Sequence, residues 1–220
     1  MPPDLLALVV SYAYVFAVVL FGEVLRKRFR LSTAFTRKFV HVGVGIWIVG
    51  TVLLFRSRYL AALPSLTFVA LNYIAYRLKI FECVETGEPG NLGTVYFPIA
   101  FVVLILVLWE RPDLLVASLM PMTWGDAAAA VIGKRKGQHR FQVLGHVRSW
   151  EGSAAMLLAS WLSVALALCA FSSLSGGTCL GFGLVVGSVA ALVEALTPWY
   201  LDNLTVSFTS ALLLCALLRP

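Results

Sequence analysis

Trp124-Gly125-Asp126-Ala127-Ala128-Ala129-Ala130-Val131-Ile132-Gly133-Lys134-Arg135-Lys136-Gly137, completed by Arg148-Ser149-Trp150-Glu151-Gly152-Ser153, joins two strongly apolar runs at 114–132 and 153–171. Each run has the ~17–25 residues that a helix needs to cross a bilayer. Residues 124–153 hold five Lys or Arg residues, five glycines and two acids. Apolar flanks of this length make both runs membrane spans and the basic stretch a loop at the membrane surface. A polar cluster beside a hydrocarbon phase is expensive to keep. A bound polyanion is the best reason to keep it, and a nucleoside triphosphate fits.

Working outward, similar apolar runs recur along the whole chain, at about 5–23, 39–55, 59–76, 93–109, 114–132, 153–171, 178–196 and 204–218. The 220 residues are 60% hydrophobic and 13% charged, with a mean hydropathy of +0.89. A soluble domain of this size is far more polar. The expected fold is all-α: one polytopic helical bundle of seven or eight spans covering 1–220.

The net charge of +6 sits mostly in loops. Residues 24–38 carry Arg26, Lys27, Arg28, Arg30, Arg37 and Lys38. Residues 133–151 carry Lys134, Arg135, Lys136, Arg140 and Arg148, while 77–92 mix Arg77 and Lys79 with Glu82, Glu85 and Glu88. The positive-inside rule then puts the N-terminus outside and these three loops in the cytoplasm. Asp4 precedes the first run and basic residues follow it, the reverse of a cleaved secretory signal, so the first span is expected to be retained. A bacterial inner membrane is the expected location. Cys83, Cys169, Cys179 and Cys215 form no Cys-x-x-Cys pair, so no zinc site is indicated. The basic residues fit topology and an anionic ligand, and no nucleic-acid partner is expected.

The polar motifs each admit a plain and a functional reading. Arg37 and His41 share one helical face, with Lys38 between them. The cations are either topological anchors or phosphate ligands, and His41 either packs or participates. Gly90-Asn91-Leu92-Gly93-Thr94-Val95-Tyr96-Phe97-Pro98 is a turn into the fourth span with an interfacial Tyr96, or part of a site. Asp126 lies at membrane depth, where an acid costs ~2.5–3.5 kcal/mol and marks a functional site unless it merely pairs with an Arg. Gly133 follows seven residues later on the same face, and only small or aliphatic residues intervene. The result is a smooth groove suited to a magnesium-bound phosphate chain. Lys134 opens a basic run that is otherwise a solvated loop. Its spacing is not that of a Walker loop. Ser149, Glu151, Gly152 and Ser153 open a helix, where free amides bind anions and Ser also caps. Glu194, Asp202 and Asn203 lie at the same membrane rim, as metal ligands or as caps.

Together, Arg37-Lys38-x-x-His41, Gly93-Thr94-Val95-Tyr96-x-Pro98, Gly125-Asp126-Ala127-x-Ala129 with Gly133-x-x-x-Gly137, Ser149-x-Glu151-Gly152-Ser153 and Asp202-Asn203-Leu204-Thr205-Val206 resemble the CTP-dependent polyprenol-kinase family. That family includes phytol and farnesol kinases, dolichol kinase and the CTP-using diacylglycerol kinase of fungi. The chain is most similar to its short phytol-kinase-like members. Arg148 stands where Lys is usual, and Ser207 where Pro commonly follows Thr-Val.

The resemblance implies phosphoryl transfer from CTP to a lipid alcohol with Mg2+. The implied catalytic set is Asp126, Arg37, Lys38 and Glu151. Nucleotide binding falls to Arg37, Lys38, Gly133, Lys134, Arg148, Ser149, Gly152 and Ser153, with Asp126 and Asp202 on the metal. His41, Thr94, Tyr96, Glu194, Asp202 and Asn203 complete the candidates. Three rivals stand beside this reading of an isoprenoid-alcohol kinase: a CTP-dependent diacylglycerol kinase, a cytidylyltransferase of a lipid phosphate, and a small membrane transporter. The acids crowd at one rim instead of spreading to mid-membrane, which disfavours transport.

Overall fold

A computed structural model describes residues 3–78, 91–198 and 201–219. Lys79, Glu82, Cys83, Glu85, Glu88 and Gly90 lie outside the described residues. The chain divides into two compact units, 1–109 and 110–220.

The first unit contains α1 (Pro3–Phe29), α2 (Thr33–Gly45), α3 (Trp47–Leu54), α4 (Arg58–Leu78) and α5 (Gly93–Leu108). α1 runs beyond the apolar stretch because Glu23 pairs with Arg26 at 2.7 Å and Lys27 at 3.0 Å, carrying the helix into the basic segment. It ends where Arg30 turns left-handed (φ +55) and Leu31 N–H bonds back to the Leu25 carbonyl, closing the last turn. α2 packs against α1 through small residues: a Cβ on Gly43 would lie 2.7 Å from Val18 Cγ1, and one on Gly22 would lie 2.5 Å from Val40 Cγ2. Close helix approach of this kind is how membrane helices associate without a hydrophobic drive between them. Tyr14 bridges the same pair, donating to the Gly43 carbonyl at 2.9 Å and stacking on Trp47.

The second unit contains α6 (Pro112–Met120), a π-helical turn (Pro121–Gly125), α7 (Asp126–Lys136), the strands β1 (Arg140–Val143) and β2 (His146–Ser149), α8 (Trp150–Phe171), α9 (Gly176–Leu196) and α10 (Asp202–Leu217). α6, the π turn and α7 form one continuous apolar run, Pro112–Lys136, packed among α8 and α10. α8 and α9 cross closely because Gly183 and Gly187 let α9 approach the backbone at Trp161, and Trp161 Nε1 donates to the Leu180 carbonyl. Residues 133–148, expected as a basic loop, hold the last turn of α7 and most of an antiparallel hairpin that pairs Arg140 with Ser149 and Val143 with His146, and α8 opens at Trp150.

Six helical runs have the length and composition to cross a membrane, and α5 and α10 are shorter apolar helices. This is a polytopic α-helical membrane protein. Its helices display Leu5, Leu6, Phe16, Leu20, Leu162 and Leu166 outward. In lipid those side chains face their own kind, and each helix satisfies its backbone internally.

Candidate active site

The site begins with a local irregularity. Pro121 has no N–H to donate, which removes the helical bond to the Ala117 carbonyl. The chain widens into a π turn in which Asp126 N–H bonds to the Pro121 carbonyl, five residues back. The Thr123 hydroxyl takes up the Leu119 carbonyl at 2.9 Å. Gly125 is required here because a Cβ would collide with Ser160 Oγ and Met156 Sδ on α8. Asp126 is thereby delivered, nearly buried, to the start of α7.

From Asp126 the helix repeat lines up Ala129, Ala130 and Gly133 on one face, with Lys134 beside them. These residues form one wall of a cavity of about 330 Å³, within the size range of small-molecule sites. The opposite wall is Arg140 of β1, Val147, Arg148 and Ser149 of β2, and Gly152 and Ser153 of α8, with Glu194 from the end of α9.

Ser149 is the pivot of that wall. It is extended and caps α8, its Oγ accepting the Gly152 N–H at 3.1 Å. α7 passes close above it. A Cβ on Gly133 would lie 3.2 Å from Ser149 Oγ, one on Gly152 3.1 Å, and one on Gly137 2.8 Å. The three glycines therefore let α7 lie against the capped start of α8, so Gly133 has a packing role as well as leaving backbone uncovered toward the cavity.

Arg148 is held by acids from two further helices. Its Nη1 pairs with Glu194 Oε1 at 2.6 Å, its Nη2 donates to the Glu194 carbonyl at 3.4 Å, and Asp202 Oδ2 stands 3.9 Å from Nη2. Its Nε is buried without a partner. Glu194 thus anchors Arg148 and also lines the cavity.

The remaining expected residues fall elsewhere. Glu151 is not a lining residue: its Oε1 accepts the His139 backbone N–H at 3.1 Å and meets His139 Nδ1 at 2.7 Å. Asp202 also lies outside the lining and accepts the Asn203 N–H at 2.9 Å, while Asn203 is buried. Arg37, Lys38, His41, Thr94 and Tyr96 belong to the first unit. There the His41 ring lies tilted at 39° against Phe97, with centroids 4.1 Å apart, and the Thr94 carbonyl accepts from Asn72 at 2.8 Å. Arg140 and Val147 line the cavity without having been singled out as site residues. Their signal is the alternation Arg-Phe-Gln-Val and His-Val-Arg-Ser around Leu144-Gly145.

Chemically, the cavity offers Lys134, Arg140 and Arg148 to an anion and Asp126 to a cation, with the capped start of α8 between them. Among the described residues no three His, Cys, Asp or Glu side chains converge as a protein-only metal cage. A magnesium ion that arrives on phosphate oxygens needs only one or two carboxylates, and Asp126 fits that demand. Glu194 is already engaged by Arg148.

No family model and no solved structure matches the chain. Curated relatives do. A protein named phytol kinase from Synechocystis sp. is 32% identical over 216 residues, covering 96% of this chain and 91% of that protein. A probable chloroplastic phytol kinase of Triticum aestivum is 29% identical, over 86% of this chain and 69% of its own length. One from Zea mays is 28% identical, over 89% and 70%.

Proposed function

Because this chain belongs to the phytol and polyprenol kinase family of membrane phosphotransferases, we propose that it transfers the γ-phosphoryl group of CTP to the hydroxyl of an isoprenoid alcohol such as phytol, geranylgeraniol or farnesol. The observation that carries this reading is the cavity that gathers Asp126, Lys134, Arg140 and Arg148 around the start of α8, in an otherwise apolar helical unit.

Phosphoryl transfer asks a protein mainly for in-line placement and charge neutralisation. A magnesium ion held by Asp126 would supply part of that neutralisation when bound. Lys134, Arg140 and Arg148 bind the phosphate oxygens, Arg148 through the donors that its pair with Glu194 leaves over. Ser149 and the first turn of α8 cradle the chain of phosphates, and the stripe from Ala129 to Gly133 lets it lie close to the backbone. Glu151 and Asp202, outside the lining, take positioning parts: Glu151 fixes the entry to the hairpin through His139, and Asp202 stands beside Arg148. Arg37 and Lys38 are proposed phosphate ligands on the family resemblance alone. CTP as the donor rests on the family as well. On the positive-inside rule the cavity faces the cytoplasm, in a bundle of seven or eight passes with the N-terminus outside. The expected bacterial inner membrane gains nothing from the plant relatives, which are named chloroplastic.

The test uses purified protein in detergent with magnesium, CTP labelled on the α or γ phosphate, and phytol, geranylgeraniol, farnesol, a longer polyprenol and diacylglycerol as acceptors. Transfer of γ label to an isoprenoid alcohol is expected. Transfer to diacylglycerol alone would move the substrate class, transfer of α label would make the protein a cytidylyltransferase, and no transfer from either label would refute the reading.

A further inference from the structure

The β1–β2 hairpin turns through Leu144 at φ +48 and Gly145 at φ +85. Two consecutive positive φ values define the tight hairpin turn that favours Asn-Gly, since Asn tolerates the left-handed region and Leu does not. The chain nevertheless keeps a large apolar residue at the first position, at a steric cost and with 68% of its surface exposed. Val147 on β2 and Trp150 at the start of α8 are 64% and 67% exposed, and Phe141 leans on the Trp150 ring at 5.1 Å. An isolated exposed leucine needs no explanation, but a strained one beside an exposed valine and tryptophan does.

The position of the hairpin says what covers it. It connects the end of one candidate membrane span, Pro112–Lys136, to the start of the next, Trp150–Phe171. Four-residue strands reach only ~13 Å, so the tip stays within the interfacial layer of the bilayer those helices enter. Arg135 and Lys136, which do not line the cavity, are exposed beside its base and form a basic collar. The nearest acid in sequence, Glu151, is occupied by His139. Apolar tip, interfacial tryptophan and a basic collar match an anionic lipid surface.

We propose that the hairpin is a lipid-docking element, with Leu144 and Val147 seated at the headgroup–acyl boundary beside Trp150 and the basic collar on lipid phosphates. The inference concerns the hairpin alone and does not depend on the kinase reading. It has a consequence for the cavity all the same: β2 carries Arg148 and Ser149 as well as Val147, so seating the tip in lipid steadies one wall of the pocket.

The test keeps the full chain, reconstituted in nanodiscs of phosphatidylcholine with or without phosphatidylglycerol. The photoreactive residue p-benzoylphenylalanine replaces Leu144 in one variant and the exposed Gln138 in another. On irradiation, the variant at 144 is expected to gain the mass of a phospholipid at several times the yield of the variant at 138. Equal yields, or adducts with a second protein chain in place of lipid, would overturn the proposal. On the unaltered chain, amide exchange across 141–149 is expected to slow several-fold when phosphatidylglycerol is included. The double variant Arg135→Gln, Lys136→Gln should lose most of that difference. Exchange that ignores lipid charge in the unaltered chain would refute the collar even if the photoreactive variants do not insert.

Discussion

The pair between Arg148 and Glu194 ties the hairpin wall of the cavity to the end of α9, and its strength can be measured. Truncating one partner of a fully buried ion pair costs ~3–5 kcal/mol, whereas exposed pairs are worth ~0.2–1 kcal/mol. This pair lies between those limits. The Glu194 side chain is 4% exposed and that of Arg148 27%, with 2.6 Å between them. Asp202, 3.9 Å from the same guanidinium, takes over part of the charge when Glu194 is neutralised. A coupling of about 1–3 kcal/mol follows. The assay is a double-mutant cycle of Glu194→Gln, Arg148→Met and the double variant, with unfolding followed in mixed micelles at increasing dodecyl sulfate. Glu194→Gln keeps the size of the side chain and the backbone carbonyl that also accepts from Arg148, so the cycle isolates the carboxylate. Single effects that add to within ~0.5 kcal/mol would show the two residues to be independent and would remove Glu194 as the anchor of the arginine.

Four further outcomes are expected. Asp126→Asn should abolish phosphoryl transfer while the protein still inserts and unfolds with the native midpoint to within a few degrees; near-normal turnover would take Asp126 out of the reaction. Arg37→Ala should weaken nucleotide use at least tenfold, read as KM for CTP, and an unchanged KM would end its assignment as a phosphate ligand. Gly125→Ala should destabilise the second unit by ~1–3 kcal/mol, because the added Cβ drives into Ser160 and Met156; a neutral effect in the micelle titration would mean that α8 yields there freely. Ser149→Ala removes the cap on Gly152 N–H and should cost ~1 kcal/mol, whereas Ser149→Thr should recover most of it in the same titration.

The helices were legible because lipid leaves the backbone almost no choice: an apolar run long enough to cross must be helical. Their ends were less so, since capping and pairing outside the apolar run decide them, as Glu23 does for α1. The line from Asp126 through Ala129 and Ala130 to Gly133 was legible for a similar reason, because a helix repeat is local. The hairpin was hidden by its turn, where Leu144-Gly145 replaces the Asn-Gly that announces such turns. The partners of Glu151 and Arg148 were hidden by distance along the chain. His139 lies 12 residues from Glu151 and Glu194 lies 46 from Arg148, and no local rule chooses between Glu194 and Asp202 as the group that meets the arginine. The π turn left only Pro121 as a trace.

That turn also governs how the span tolerates changes in length. An α-helix advances ~100° per residue, so a deletion within 112–120 would swing everything beyond it around the axis and carry Asp126 and Gly133 off the cavity together. A π turn is an α-helix that has absorbed one surplus residue. Removing a residue from 121–125 would return that segment to ordinary winding and leave the faces above and below it in phase. Gain or loss of a single residue is therefore survivable at this point of the span, and shorter relatives that keep the acid and the glycine in place should carry their gap there.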